Sequence, residues 1–306
     1  MGTVSAQRAE LIVNSGAGVG GGFALAGNLA RMLSAEGMPV SVHVTRSSAH
    51  AQQVAASVMR AGSVLVAVGG DGTVHSVLQA CVHAEGSMDI LPAGTGNDIS
   101  ASIFGNSDDP LDAVYRRIMT GAPHLIDVAE AAVAEGSSDE RIEWVLGVTT
   151  IGLDSRVNER ANSWGFGTGL ARYSMALARE LPSLRPIRYE LSDGGGVRHQ
   201  EGILCAVGNG GIYGGGMLIC PDADMSDGLL DVTFVDPVPR RTLIRLFPTV
   251  LRGTHINREE VHTWRTTAIR VSAPGVPVYA DGEPLGHDSV SLRCVPSAVR
   301  ILRTNG

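Results

Sequence analysis

The residues Val64-Leu65-Val66-Ala67-Val68 form an unbroken apolar run, and the chain continues directly with Gly69-Gly70-Asp71-Gly72-Thr73. That order constrains the fold more than any other feature. A short run of small and β-branched apolar side chains bounded by glycine reads as a strand buried on both faces. Strands of that kind belong to parallel sheets covered by helices. The glycines let the backbone turn tightly and approach a ligand without a Cβ in the way. A helix opening at Thr73 offers unpaired N–H groups and the positive end of its dipole, which suit a phosphate. Thr73 adds a hydroxyl. Asp71 is the odd member, because a carboxylate beside phosphates is repulsive. It fits if it holds Mg²⁺ or takes a proton from an acceptor hydroxyl. The plainer alternative is a tight turn with Asp71 as a helix cap.

The flanking sequence repeats the strand–turn–helix order. Leu11-Ile12-Val13 runs into a glycine loop, Asn14 to Gly22, and Phe23 to Glu36 predicts a helix broken by Gly37 and Pro39. Val40 to Thr45 predicts a strand, Ala49 to Met59 a helix, Thr73 to His83 a helix and Asp89 to Pro92 a strand. Alternating strands and helices predict a parallel or mostly parallel sheet covered on both faces. In such a sheet the loops at the carboxyl ends of the strands line one crevice. Three of them are rich in glycine: Asn14-Ser15-Gly16-Ala17-Gly18, Gly69 to Thr73, and Pro92-Ala93-Gly94-Thr95-Gly96-Asn97-Asp98. They are expected to converge on one triphosphate.

After about residue 123 the texture changes to short strand-like runs separated by Gly, Asp and Pro turns. These are Trp144 to Thr150, Ile187 to Leu191, Ile203 to Val207, Leu230 to Val235, Ile269 to Val271 and Val290 to Cys294, with one helical stretch from Gly169 to Leu181. Closely spaced strands predict an antiparallel sandwich or barrel. The fold class is therefore α/β + β: an N-terminal α/β nucleotide-binding domain and a mostly antiparallel β domain.

Composition excludes several chemistries. All 24 basic residues are arginine, so a P-loop lysine, a protein-kinase strand lysine and a Schiff-base lysine are ruled out. A net charge of −7 argues against a general nucleic-acid binder. Cys81, Cys205, Cys220 and Cys294 are far apart and read as buried free thiols, which fits a reducing cytoplasm. No apolar run reaches the length of a spanning helix and no signal peptide is expected, so the expected location is cytoplasmic, peripheral at the inner membrane face.

GGDGT followed by PAGTGND resembles the catalytic domain of the diacylglycerol kinase family, in particular soluble bacterial lipid kinases similar to sphingosine and ceramide kinases. The resemblance continues in order along the chain. Ile151-Gly152-Leu153-Asp154 looks like the family's G-[FL]-D segment, and Gly208-Asn209 with Tyr213-Gly214-Gly215-Gly216-Met217 looks like its GN…GGG stretch. Pro221 to Asp231 looks like PxAxxxDGxLD, and Tyr279-Ala280-Asp281-Gly282-Glu283 looks like its late DGE motif.

The resemblance implies two domains, an NAD-kinase/diacylglycerol-kinase-like unit over 1–122 with a returning strand in 297–306, and a β-sandwich lipid-substrate domain over 123–296. Val299 to Arg303 would pair in the first of these. ATP would lie in the cleft between the domains, lined by Asn14, Thr45, Gly70 to Ser76 and Thr95, with Ser15, Gly16, Gly69, Gly94 and Asn97 completing the glycine loops. Asp281 and Glu283 would stand near the γ-phosphate and the acceptor hydroxyl, one of them as general base; a plain hairpin turn is the alternative. The Asp227 carboxylate and the carbonyls of Asp224 and Leu229 would hold a structural Mg²⁺; an acidic turn is the alternative. His75-Ser76 stands where the family commonly has Asn-Glu, and the first loop lacks the usual proline and basic residue, for which Arg46 is a candidate substitute, a solvated surface arginine being the alternative.

The implied activity is ATP-dependent, Mg²⁺-assisted phosphorylation of a membrane lipid hydroxyl, with diacylglycerol as the first acceptor. The alternatives are an NAD kinase, which shares GGDGT, and a non-catalytic nucleotide- or lipid-binding protein of the same fold. Residues 156–188 carry Arg156, Arg160, Arg172, Arg179, Arg185 and Arg188 together with Trp164, Phe166, Tyr173, Met175 and Leu177. That mixture reads either as a membrane-docking segment or as an amphipathic helix with a solvated basic face. An exposed edge strand would serve a homodimer.

Overall fold

The computed structural model describes residues 7–15, 21–135, 139–164 and 169–304. The chain divides into two compact units, 1–128 with 296–306, and 129–295. The sequence expectation had placed the first boundary after 122; β5, described below, carries it further.

In the first unit β1 (Arg8–Asn14) leads to α1 (Gly21–Ala35), β2 (Val40–Thr45) to α2 (Ser48–Val58), and β3 (Ser63–Gly69) to α3 (Asp71–Leu78). β4 (Ser87–Pro92) is followed by two helices, α4 (Asp98–Phe104) and α5 (Pro110–Thr120). The sheet order is β4-β3-β1-β2, and every pairing is parallel. β3 is buried along its whole length, as its apolar run requires. Leu11, Val13, Val66 and Val68 pack with Leu29 and Leu33 of α1 and Val114 and Ile118 of α5. The order reverses between β1 and β3, which makes that edge the switch point of the sheet. The register aligns the carboxyl ends: Asn14 opposite Thr45, Val13 opposite Val68, and Gly69 opposite Pro92. The loops after all four strands therefore leave from one side.

β5 (Ala122–Glu135) leads into the second unit, where β6 (Asp139–Val145) pairs back on it antiparallel. β7 (Val148–Gly152) is followed by α6 (Leu153–Asn162) and α7 (Gly169–Glu180). Then come the hairpin β8 (Ile187–Asp193) and β9 (Gly196–Gly202), β10 (Leu204–Gly208), and a small hairpin of β11 (Ile212–Tyr213) and β12 (Met217–Leu218). β13 (Leu230–Val235), α8 (Arg240–Val250), β14 (Val261–Thr266), β15 (Ala268–Ala280) and β16 (Glu283–Arg303) complete the chain. The ladder β14-β13-β10-β7-β15 is antiparallel throughout. The second unit is a β-sandwich with helices on one face. Its central strands are buried on both sides: Cys205 and Val207 of β10 face the sandwich core, while Leu204 and Ala206 face the layer that contains Leu246 of α8. Tyr189 and Phe234 meet edge-to-face at 5.3 Å in the sandwich core.

The end of β16 belongs to the first unit, where Ile301 pairs parallel with Met88 of β4, as the resemblance implied for Val299 to Arg303. Three sequence expectations differ from the structure. The helix expected over Thr73 to His83 ends at Leu78, Trp144 to Thr150 is two strands broken at Leu146-Gly147, and α4, α5, α6 and α8 had no sequence counterpart. α8 escapes notice because Pro237 and Pro239 precede it and Pro248 lies inside it. All four cysteines are buried and none forms a disulfide, and burial pushes the Cys220 thiol up to about 12.

Candidate functional site

The glycine turns after β3 and β4 are locked together in the first unit. Ala93 N–H donates to the Gly69 carbonyl at 2.9 Å. A Cβ on Gly94 would stand 2.4 Å from Gly70 Cα, so this approach of backbone to backbone exists only because both residues are glycine. Gly69 has no space either: a Cβ there would meet Thr73 Oγ1 at 2.4 Å.

Asn97, in the left-handed conformation, closes the second turn on itself. Its Oδ1 accepts from Gly94 N–H at 2.9 Å, and its Nδ2 donates to the Gly94 carbonyl at 3.1 Å. Asp71 Oδ1 accepts the Ile99 N–H at 3.0 Å, so the first turn caps the helix that follows the second. This is the capping role weighed for Asp71 from the sequence, but for α4 and not for its own helix. A Cβ on Gly96 would be 3.0 Å from Asp71 Oδ2 and 3.5 Å from Asp98 Oδ2, so the two carboxylates face the same small space. Sequence reasoning did not assign Asp98; its signal was a second acid directly after a glycine turn.

The helix that opens the site lacks a side-chain cap. α2 is capped by Ser47 and α5 by Asp109, whereas Gly70 at the start of α3 has no side chain to offer. Thr73 N–H donates to the Gly70 carbonyl at 2.9 Å, while no side chain caps the first turn of α3, and a helix start of that kind suits an anion. Two other expected lining residues are engaged within the protein. Thr45 is buried and its Oγ1 donates to the Val13 carbonyl at 3.2 Å. Ser76 donates to the Gly72 carbonyl at 2.8 Å and bonds Ser48 at 3.0 Å, tying α3 to α2. Asn14 is half-buried and Ser15 and Thr95 are exposed at the loop ends, while Gly16 lies outside the described residues.

The DGE residues belong to the second unit. Asp281 is 9 % exposed and has positive φ. Its Oδ1 accepts from Gly147 N–H at 2.8 Å and its Oδ2 from Leu146 N–H at 3.3 Å, so the carboxylate holds the turn between β6 and β7. Glu283 is half-buried, and its carboxylate has no hydrogen-bond or ion-pair partner among the described residues.

Asp154, at the start of α6, is 4 % exposed and accepts from the hydroxyls of Tyr173 and, at 2.5 Å, Tyr213. Burial with no cation beside it pushes its carboxyl above the ordinary range, against the lowering effect of the two hydroxyls. The three groups form the polar end of a cavity of about 50 Å³ walled by Leu177, Leu243, Leu246, Phe247 and Val250. His255 lines the same cavity; its Nε2–H donates to the Ile219 carbonyl at 3.0 Å, and Nδ1 has no partner.

The acidic turn 222–231 carries the expected metal residues Asp224, Asp227 and Leu229. Asp224 Oδ1 accepts from Ser226, and Asp227 Oδ1 accepts the Leu229 N–H at 3.0 Å. The Arg265 guanidinium stands 3.4 Å from Asp227 and 3.3 Å from Asp231, so a positive charge is already present at this turn. Among the described residues no three His, Cys, Asp or Glu side chains gather as a metal would need.

The family model described as "Diacylglycerol kinase catalytic domain" matches residues 8–131, and that described as "YegS C-terminal NAD kinase beta sandwich-like domain" matches 147–303. A diacylglycerol kinase of Mycobacterium tuberculosis is 38% identical over 252 residues, covering 82% of this chain and 80% of its own. The chain belongs to the diacylglycerol kinase family. A "Probable lipid kinase YegS-like" of Stenotrophomonas maltophilia is 29% identical over 281 residues, covering 87% of each chain. Among solved structures, a diacylglycerol kinase from Bacillus anthracis superposes with a TM-score of 0.68 at 18% identity over 97% of both chains. An ATP-bound NAD kinase from Archaeoglobus fulgidus has a TM-score of 0.53 at 11% identity, covering 97% of this chain and 94% of its own, which shows a shared fold. Both motif-bearing halves of the family are thus present in one chain.

Proposed function

We propose that this family member transfers the γ-phosphate of ATP to a lipid hydroxyl, with diacylglycerol as the acceptor and phosphatidic acid as the product. The interlocked pair of glycine turns beneath the uncapped start of α3 carries the nucleotide half of the reading. The acceptor is supported by the name of the relative at 38% identity.

Phosphoryl transfer is achieved mostly by positioning and charge stabilisation. The turn Gly69 to Thr73 and the first N–H groups of α3 orient the phosphates. Asp71 and Asp98 are the carboxylates suited to Mg²⁺, which takes one or two carboxylates, waters and substrate phosphates. When bound, the ion offsets the negative charge of the phosphates. Glu283 accepts the proton of the acceptor hydroxyl on its carboxylate, since Asp281 is committed to two backbone N–H groups.

Labelled ATP offered with diacylglycerol, ceramide, a sphingoid base and NAD tests this reading. Label is expected in diacylglycerol, and Glu283→Gln is expected to lower kcat by about 10²–10⁴-fold with ATP affinity unchanged. Label in NAD, ATP binding without transfer to any lipid, or a Glu283→Gln variant at wild-type rate would refute it.

A further inference from the structure

α8 has two faces of different chemistry. Leu243, Leu246, Phe247 and Val250, at the i, i+3, i+4, i+7 positions, point inward and wall the apolar cavity. The outer face carries Arg241, Ile244, Arg245 and Pro248, and Leu251 and Arg252 follow directly. Ile244 is 59 % exposed and Leu251 37 %. None of the guanidinium groups of Arg241, Arg245 and Arg252 has an ion-pair or hydrogen-bond partner among the described residues. Residues 237–258 hold five arginines and no carboxylate in a chain of net charge −7.

We propose that this outer face seats the second unit on an anionic lipid bilayer, with Arg241, Arg245 and Arg252 on the headgroup phosphates and Ile244 and Leu251 dipping below them. A bilayer fits better than a folded acidic partner. The arginines and aliphatics are interleaved along the exposed face, which demands little exact geometry from the other side. An acidic protein is repelled by an anionic surface, so approach requires a local face of the opposite sign. The same helix is the wall between this face and the cavity, so the docked surface lies one helix away from an apolar chamber. The segment 156–188, which the sequence had suggested for docking, is less suited. Arg160 is paired with Glu180 and Arg188 with Glu201, Arg156 and Arg172 are half-buried, and Phe166 lies outside the described residues.

Co-sedimentation of the full chain with vesicles tests the proposal without ATP or turnover, so its failure is separate from failure of the phosphotransfer reading. The wild type is expected to bind phosphatidylglycerol-containing vesicles more tightly than pure phosphatidylcholine, and less as salt rises. The Arg241→Gln, Arg245→Gln, Arg252→Gln triple variant should bind on the order of a hundredfold more weakly, at unchanged Tm. Ile244→Gln should weaken binding by up to about tenfold. An Arg179→Gln, Arg185→Gln control should bind nearly as the wild type does. Equal binding to both vesicle types, no loss in the triple variant, or an equal loss in the control would overturn it. Binding of polyglutamate that ignores Ile244→Gln, with no vesicle binding, would point to an acidic protein partner instead.

Discussion

Asp71 joins two roles that a pair of substitutions can separate. Its Oδ1 accepts the Ile99 N–H, and its Oδ2 faces the same space as Asp98. Asn at this position keeps an oxygen for the amide but carries no charge. Asp71→Asn is therefore expected to keep the wild-type Tm and lose turnover, whereas Asp71→Ala should also lose about 1 kcal/mol of stability with the cap. Thermal melts beside kinase assays read both; equal Tm losses in the two variants would show that the amide does not need the oxygen. Asp154 supplies a second test. Burial raises its carboxyl, so the folded chain holds that proton to a higher pH than the unfolded chain does. Its contribution to stability is then lost as pH rises through the raised value, the reverse of a salt-bridged carboxylate. Asp154→Asn should flatten the decline of Tm with pH from the ordinary carboxylate range upward, and an unchanged slope would show that Asp154 is ionised throughout.

At the scale of the element, the turn 222–231 shows how a motif and its neighbours share one charge problem. Asp227 and Asp231 face Arg265 of β14 across the end of the ladder. Arg265→Gln leaves both without that counter-charge. Because the guanidinium is half-exposed, the loss should be about 1 kcal/mol or less at low salt. Added Mg²⁺ should recover it, with a titration of Tm as the readout; no recovery would show that Asp224, Asp227 and Leu229 hold no cation. This arrangement was not legible in the motif, since Arg265 follows Asp227 by more than thirty residues and reaches it only through the pairing of β13 with β14. β3 was fully legible, because a strand buried on both faces needs an apolar side chain at every position. α8 was not, because prolines disrupt the local signal and its helicity rests on packing Leu246 and its neighbours against the second unit.

For the whole molecule, the last strand is the test of how the chain is divided. Val299, Ile301 and Leu302 are buried in the first unit, and Ser297 N–H donates to Asp127 at 2.8 Å. Removing 296–306 should therefore unfold the first unit although every glycine turn remains. Loss of the cooperative melt and of ATP binding is expected, and a truncated chain that still binds ATP would refute it. The sequence by itself determined the strand–turn–helix order around Gly69, the change to β texture near residue 123 and the family, because each rests on neighbouring residues or on motifs in fixed order. Only the tertiary structure decided which carboxylates are committed. Asp281 is held by two backbone amides, Asp71 caps a helix begun 27 residues later, Asp98 joins it and Glu283 stays unpartnered. The reason is physical: a side chain's partners are set by through-space contacts between distant segments, and one carboxylate serves equally well as a cap, a ligand or a base until those contacts are made.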